Sequence, residues 1–227
     1  RAGQRTVVDA ARGTCDWRLA PDNRAEALAL AGQLDVSPVV ARVLLLRGVS
    51  SIDAGERFLN PDVARLSDPF LLTDMRTAVE RIAKAREKRE AVLVFGDYDV
   101  DGISGAALLI RALRRYGIER VVYGMPNRQV EGYGLSAERV DWARALGATL
   151  IVTVDNGIAA FDAIARAREL GIDVVVTDHH LIERGVPDAL AVINPKRGPG
   201  DHPSANLCGS GVALKLAHAL TGEWHDL

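Results

Sequence analysis

No apolar run in this 227-residue chain approaches the roughly 20 residues needed to cross a bilayer, and its first residues lack the pattern of a secretory signal. No membrane role is expected. Cysteine is scarce: Cys15 and Cys208 lie far apart in neutral contexts with no CxxC spacing. That excludes a disulfide scaffold and leads us to expect a reduced, cytoplasmic protein with buried or idle thiols. Positive charge is not in excess either, with 28 Lys and Arg against 30 Asp and Glu and a net charge of −2. A polyanionic substrate would therefore be met by a local, metal-assisted surface rather than a basic coat. There is no Walker A pattern, no repeat at fixed period and no low-complexity tract. The chain opens on Arg1 rather than Met, which we read as the mark of a fragment.

What is present is ordinary globular material, 48% hydrophobic and 26% charged, long enough for one large domain or two smaller ones. We expect a helical lead-in over 1–75 and a second domain over 76–227. The first 20 residues carry little pattern, with a loosely held strand expected around Trp17-Arg18-Leu19. Residues 22–47 read as two short helices. The second is announced by Ser37 as N-cap and Pro38 at the first helical position, followed by Val39, Val40, Val43 and Leu44 as an apolar face. Ser51–Leu59 reads as a third helix, stopped by Asn60-Pro61, and Ser67–Phe70 as a turn. Thr73 or Asp74 should cap a longer helix to about Lys88, with Val79, Ile82 and Ala83 on its apolar face. Its charged end, Lys84–Glu90, reads as a solvated helix face.

From Glu90 the rhythm becomes strand, turn, helix. Strands are expected near Ala91–Phe95, Arg120–Tyr123, Thr149–Val154, Asp173–Val176 and Leu190–Ile193. Helices are expected near Ser104–Tyr116, Ser136–Leu146, Ala159–Leu170 and Ser210–Leu220. The strands are continuous Val/Ile/Leu runs rather than alternating ones, as when helices cover both faces. The predicted class is α/β: an open, mostly parallel sheet with helices on both faces, preceded by a small helical segment.

The chemistry gathers where strands end. Val92–Phe95 runs into Asp97, Asp99 and Asp101, and Gly102 and Gly105 open the next helix. VTVDNG (152–157) and VTDHH (176–180) end strands in the same way. Asp97, Asp99, Asp155, Asp178, His179 and His180 thus fall just beyond carboxyl ends of strands, the edge where open α/β sheets bind ligands. Three carboxylates within five residues repel one another, and a buried cluster is costly unless a cation sits among them. Aspartate oxygens with a histidine nitrogen and no thiolate suit Mn²⁺ or Mg²⁺, and the set is large enough for two ions with one carboxylate bridging. Two such ions about 3.5–4 Å apart form the clamp used for phosphoryl transfer. The residues point to a metal-dependent phosphoesterase.

Rival readings are weaker. Asp97-x-Asp99-x-Asp101-Gly102 matches the first half of an EF-hand loop, but its twelfth position is Leu108 rather than Glu. Gly209-Ser210-Gly211 before a helix could receive a phosphate, and close helix–strand packing explains it equally well.

VFGDYDVDGISG, VTVDNG and VTDHH together resemble the first three motifs of the DHH phosphoesterase superfamily, and are similar to its RecJ branch of single-strand-specific 5′→3′ DNA exonucleases. Met125–Arg128, Glu131–Leu135, Asn194–Arg197, Leu207–Ala213, Phe58–Pro61 and Asp68–Phe70 also look like that branch, so the resemblance covers nearly the whole chain.

The resemblance implies that Asp97, Asp99, Asp155 and His179 are metal ligands, with Asp155 the bridge, and that His180 faces the substrate phosphate. It implies two ions, Mn²⁺ or Mg²⁺. Asp178 would orient the histidines, and Asp101 would act as ligand, support or helix cap, of which we favour support. Arg128 matches a position expected to hold a substrate phosphate, the 5′ end included, where a planar guanidinium is suited. Tyr133 would stack on a base or pack. Arg111, Arg114 and Arg115 would line an approach path or simply a helix surface. The implied function is DNA hydrolysis in recombination and repair, with single-stranded DNA as substrate and a single-strand-binding protein and a helicase as partners. The alternatives are a relative cleaving short oligonucleotides or cyclic dinucleotides and an inactive replisome scaffold. Relatives of the short-substrate kind carry a His upstream in the first motif, whereas Leu93, Val94, Phe95 and Gly96 stand here. The family's fourth motif, another strand-end Asp, is expected further along than Leu227, so we expect an incomplete metal site.

Overall fold

The computed structural model describes residues 20–200 and 202–223, and the backbone of Thr6–Val7 and Trp17–Arg18. The chain forms two compact units, Arg1–Leu66 and Ser67–Leu227. Cys15 and Leu19 lie outside the described residues.

In the first unit β1 (Thr6–Val7) pairs antiparallel with β2 (Trp17–Arg18). Three helices follow, α1 (Arg24–Leu34), α2 (Pro38–Leu46) and α3 (Ile52–Leu59). The caps are those the sequence announces: Ser37 Oγ accepts from Val40 N, and Ser51 Oγ from Ala54 N. The buried stripe of α2 is not the expected one. Ala41 and Leu44 pack with Ala27, Leu30 and Ala31, while Val39 is 72% exposed and Val43 also faces out. An alanine at the contact lets the two helix backbones approach, which a valine there would prevent.

The second unit opens with a single turn at Pro69–Leu71 and α4 (Met75–Glu87). It continues β3 (Ala91–Gly96), α5 (Val100–Tyr116), β4 (Arg120–Gly124), α6 (Ala137–Ala145), β5 (Ala148–Val154), α7 (Phe161–Glu169), β6 (Asp173–Thr177), β7 (Ala191–Ile193) and α8 (Gly209–Thr221). The five strands β3–β7 are all parallel, in the order β4-β3-β5-β6-β7. This is the open, helix-covered α/β sheet the strand pattern predicts. Val92, Val94, Val152 and Val175 face α4, α5 and α8. Their neighbours Leu93, Phe95, Ile151 and Val174 face α6 and α7. Burial on both faces is why these strands read as unbroken apolar runs.

One helix start and one helix cap differ from expectation. Helix α5 begins at Val100 rather than Ser104, because Asp99 is its N-cap and accepts from Gly102 N at 2.9 Å. Asp74 stands before α4 with φ of 62° and makes no side-chain cap bond, and neither does Thr73. The left-handed backbone turns its carboxylate away from the helix amides, and it accepts instead from Val192 N and the Arg197 guanidinium.

The charged stretch Lys84–Glu90 is solvated apart from buried Ala85 and half-buried Glu90. Arg81, 8% exposed, donates to Asp173 at 2.5 Å and to Glu90 at 2.6 Å, and Thr149 Oγ1 donates to Glu90. This network ties the amino-terminal ends of β3, β5 and β6 together.

Candidate metal centre

At the opposite edge, strand register does the positioning. Gly96 pairs with Val154, Val154 with Thr177, and Thr177 with Ile193. The ladder then runs one bond further in each case: Asp97 N to Val154 O, Asp155 N to Thr177 O, and Asp178 N to Ile193 O. Asp97, Asp155 and Asp178, distant in sequence, therefore stand side by side. Strand order reverses between β3 and β5, so Asp97 and Asp155 flank the switch-point crevice.

Asp155 itself adopts φ of 62°, uncommon for a residue with a side chain and costing about 1–3 kcal/mol. Its neighbours hold it there. Asn156 Nδ2 donates to Val154 O and Phe95 O, and Thr153 Oγ1 donates to Asn156 O. Gly157, at φ of 114°, could not carry a side chain without meeting Thr153 Oγ1 at 2.7 Å.

One ligand atom each from Asp97, Asp99 and Asp155 lie within 4.8 Å of one another, and so do those of Asp155, His179 and His180. Asp155 belongs to both groups. Asp97 Oδ1 and Asp155 Oδ1 are buried and accept no hydrogen bond, although His179 Nε2 stands 3.1 Å from the latter. Buried carboxylate oxygens are almost always satisfied, so two orphans facing other ligand-type atoms fit a divalent cation. The electrostatics agree. Burial, aided by the charges of Asp101 and Asp99, pushes Asp155 up to about 7, and burial with Asp99 raises Asp97 as well.

Asp178 is wholly buried and spends both oxygens on positioning. Oδ2 accepts from Ile158 N, and Oδ1 from His179 N and His180 N while standing 2.7 Å from His180 Nδ1. Burial alone would lower the His180 pKa, but the Asp178 hydrogen bond and charge hold it above the ordinary value. Tyr133 closes this arrangement, its hydroxyl 2.8 Å from Asp155 O and 3.2 Å from His180 Nδ1.

Asp101 caps α8 rather than its own helix. Its oxygens accept from Gly209 N and Ser210 N at 2.7 Å each, and Oδ2 stands 3.7 Å from His179 Nε2. The amides that a phosphate would need at that helix start are thus already bonded, and close packing accounts for the glycine. Cys208, just ahead of α8, is exposed rather than buried.

Arg128 lies outside the ligand groups, with its guanidinium carbon 5.1 Å from the Tyr98 ring centre and near enough to Asp97 for its charge to oppose in part the rise that burial imposes there. Arg111 and Arg114 are exposed on α5, and Arg115 pairs with Glu223. Sequence reasoning missed two contributors, Tyr98 and Asn156. Tyr98 and Asn156 sit inside recognised motifs, but only the fold reveals their contacts.

The family described as "DHH family, N-terminal domain" matches residues 91–226. The single-stranded-DNA-specific exonuclease RecJ of Bacillus subtilis (strain 168) is 36% identical over 210 residues, covering 92% of this chain and 27% of the relative. RecJ of Escherichia coli (strain K12) is 42% identical over 186 residues, covering 82% of this chain and 32% of the relative. The chain thus spans about a third or less of the length of these relatives. Among solved structures, exonuclease RecJ bound to manganese aligns at TM-score 0.57 and 36% identity, over 66% of this chain and 38% of that one. RecJ of Thermus thermophilus in complex with Mn²⁺ aligns at TM-score 0.66 and 29% identity, over 90% of this chain and 28% of that one.

Proposed function

This chain belongs to the DHH family, and on that footing we propose that its strand-end cluster hydrolyses phosphodiester bonds of single-stranded DNA from the 5′ end. The observation that carries the reading is the sharing of Asp155 between two ligand groups, with orphaned buried oxygens on Asp97 and Asp155. The identity to RecJ exonucleases supports the substrate class.

In this reading Asp97, Asp99, Asp155 and His179 would hold two Mn²⁺ or Mg²⁺ ions, Asp155 being the residue that belongs to both ligand groups. Such ions supply Lewis acidity toward a phosphodiester and lower the pKa of water. The chain's own groups do the rest. Asp178 fixes Nδ1 of His180, which leaves Nε2 to meet a phosphate oxygen. Arg128, steadied over Tyr98, offers a planar cation to a terminal phosphate. Asp101 supports the site from behind by seating α8 against it. The same proposal has the protein working in the cytoplasm on single strands exposed by a helicase and coated by a single-strand-binding protein.

The test is a nuclease assay on single-stranded DNA labelled at the 5′ or 3′ end, with Mn²⁺, Mg²⁺ or chelator and an Asp155→Ala control. Immediate release of the 5′ label as mononucleotide, only with metal and not in the variant, supports the reading. Survival of long DNA while dinucleotides or cyclic dinucleotides are cleaved would favour the short-substrate alternative. DNA binding with no cleavage of either would leave the scaffold.

A further inference from the structure

Arg128 sits in a turn that has little of its own to hold it in place. Residues 127–132, between β4 and α6, are all exposed and close on themselves. Asn127 O accepts from Val130 N and Glu131 N, and Asn127 Oδ1 accepts from Gln129 N. Val130 is 81% exposed, so the turn buries no apolar anchor. Gly132, at φ of 81°, separates it from the Tyr133 hydroxyl that is fixed on Asp155 O. Among the described residues, the hydrogen bonds that leave the turn are those of the Glu131 carboxylate. It accepts from Arg139 Nε and Nη2, at 2.6 Å each.

Arg139 is well placed to receive it. It stands on the first turn of α6, where its own amide donates to the capping Ser136 Oγ. Val140 and Ala143 bury that helix against the sheet. The guanidinium carbon lies 5.5 Å from the ring centre of Trp142, which packs on the same core. Two parallel N–H···O bonds fix orientation as well as distance, which an ammonium could not do. A partly exposed ion pair adds little to the stability of a fold. What this pair decides is where the turn stands. At the turn's other end Arg128 lies over Tyr98, between Asp97 and Asp99. A firmly seated helix is thus linked through one fork to the cation that stands beside the metal centre.

We propose that Arg139 is a positioning residue: by clamping Glu131 it holds the Arg128 turn in place, and so sets the affinity for the 5′-phosphate end of the strand. The inference rests on the reading above, in which Arg128 meets a terminal phosphate. The test compares the native protein with Arg139→Gln, Glu131→Gln, the double variant and Arg139→Lys. Steady-state cleavage with Mn²⁺ is measured on single-stranded DNA bearing a 5′-phosphate or a 5′-hydroxyl, and amide hydrogen exchange is followed across the turn. Arg139→Gln should raise KM for the 5′-phosphorylated strand about tenfold, with kcat and the KM for the 5′-hydroxyl strand unchanged. Glu131→Gln and the double variant should show the same loss rather than twice the loss, since each breaks the same link. Arg139→Lys, which keeps the charge without the fork, should recover part of it. Exchange at the Val130 and Glu131 amides should quicken about tenfold in Arg139→Gln, with residues 153–158 unaffected. Unchanged exchange in the turn would overturn the inference whatever the DNA results. So would a 5′-phosphate preference that survives in every variant, or a KM rise equal for both strands. A native protein that cleaves both strands with the same KM would sink the phosphate role of Arg128 and this inference with it, whereas DNA left uncut by the native protein would count against the nuclease reading itself.

Discussion

A β-carbon added to Gly209 would lie 2.4 Å from Asp155 Oδ1 and 2.5 Å from Asp155 Cβ. Helix α8 therefore begins directly on the shared aspartate of the candidate metal centre, and Asp101 bonds its first amides there. The positive end of the helix dipole faces two carboxylates that repel one another, Asp101 and Asp155.

Gly209→Ala should consequently leave the fold in place and spoil the site. Asp155 is held by its strained backbone and cannot swing aside, so its carboxylate must shift by a fraction of an ångström or more. We expect Mn²⁺ affinity by calorimetry to fall at least about tenfold and cleavage about 100-fold, the scale on which small misplacements act. Unchanged Mn²⁺ binding would show that the contact is tolerated.

Asp178→Asn should separate ligand holding from orientation. Asparagine keeps one acceptor, for the His179 and His180 amides or for Ile158 N but not both, and loses the charge that fixes the His180 ring. Cleavage should drop by about 10–100-fold. The Asp97–Asp99–Asp155 group should still bind Mn²⁺, with its stoichiometry read by calorimetry.

The metal-free protein should lose stability as pH rises from about 4 to 7. Asp155 keeps its proton up to about 7 in the fold, whereas an unfolded chain gives it up near the usual 3.8. The unfolded state thus binds fewer protons across that window, and stability falls with rising pH, by a few kcal/mol at most. Above about 7 both states are ionised and the penalty is constant. Denaturant titrations at several pH values should show this slope, and Asp155→Asn should flatten it. Mn²⁺ binding, which needs the ionised carboxylate, should tighten through the same window.

Glu90 should behave in the opposite sense. Burial raises its pKa, but hydrogen bonds from Thr149 and Arg81 and the Arg81 charge outweigh that and hold it below the ordinary value. Its contribution is full above the unfolded pKa of about 4.5 and is lost as pH falls through the folded value. Glu90→Ala should cost about 2–3 kcal/mol in a denaturant titration, because it removes one of the two carboxylates on nearly buried Arg81. Mn²⁺ affinity should not change, since this network sits at the far edge of the sheet.

Much of the protein was legible in one dimension. The switch to continuous apolar strands at Glu90 announced a sheet buried on both faces, and strand-end Asp97, Asp155 and Asp178 announced its working edge. These signals are local, since burial on both faces leaves a residue pattern that needs no knowledge of partners. Ser37 and Ser51 were readable as caps for the same reason, because their partners lie three residues away. Asp74 and Asp101 were not readable as what they are, because each spends its carboxylate on amides more than 100 residues distant. Asp155's strained backbone and the seat of Gly209 upon it were likewise hidden. Sequence spacing determined which residues reach the edge. Only the parallel register of β3, β5 and β6, and the docking of α8 against it, decided which of them touch.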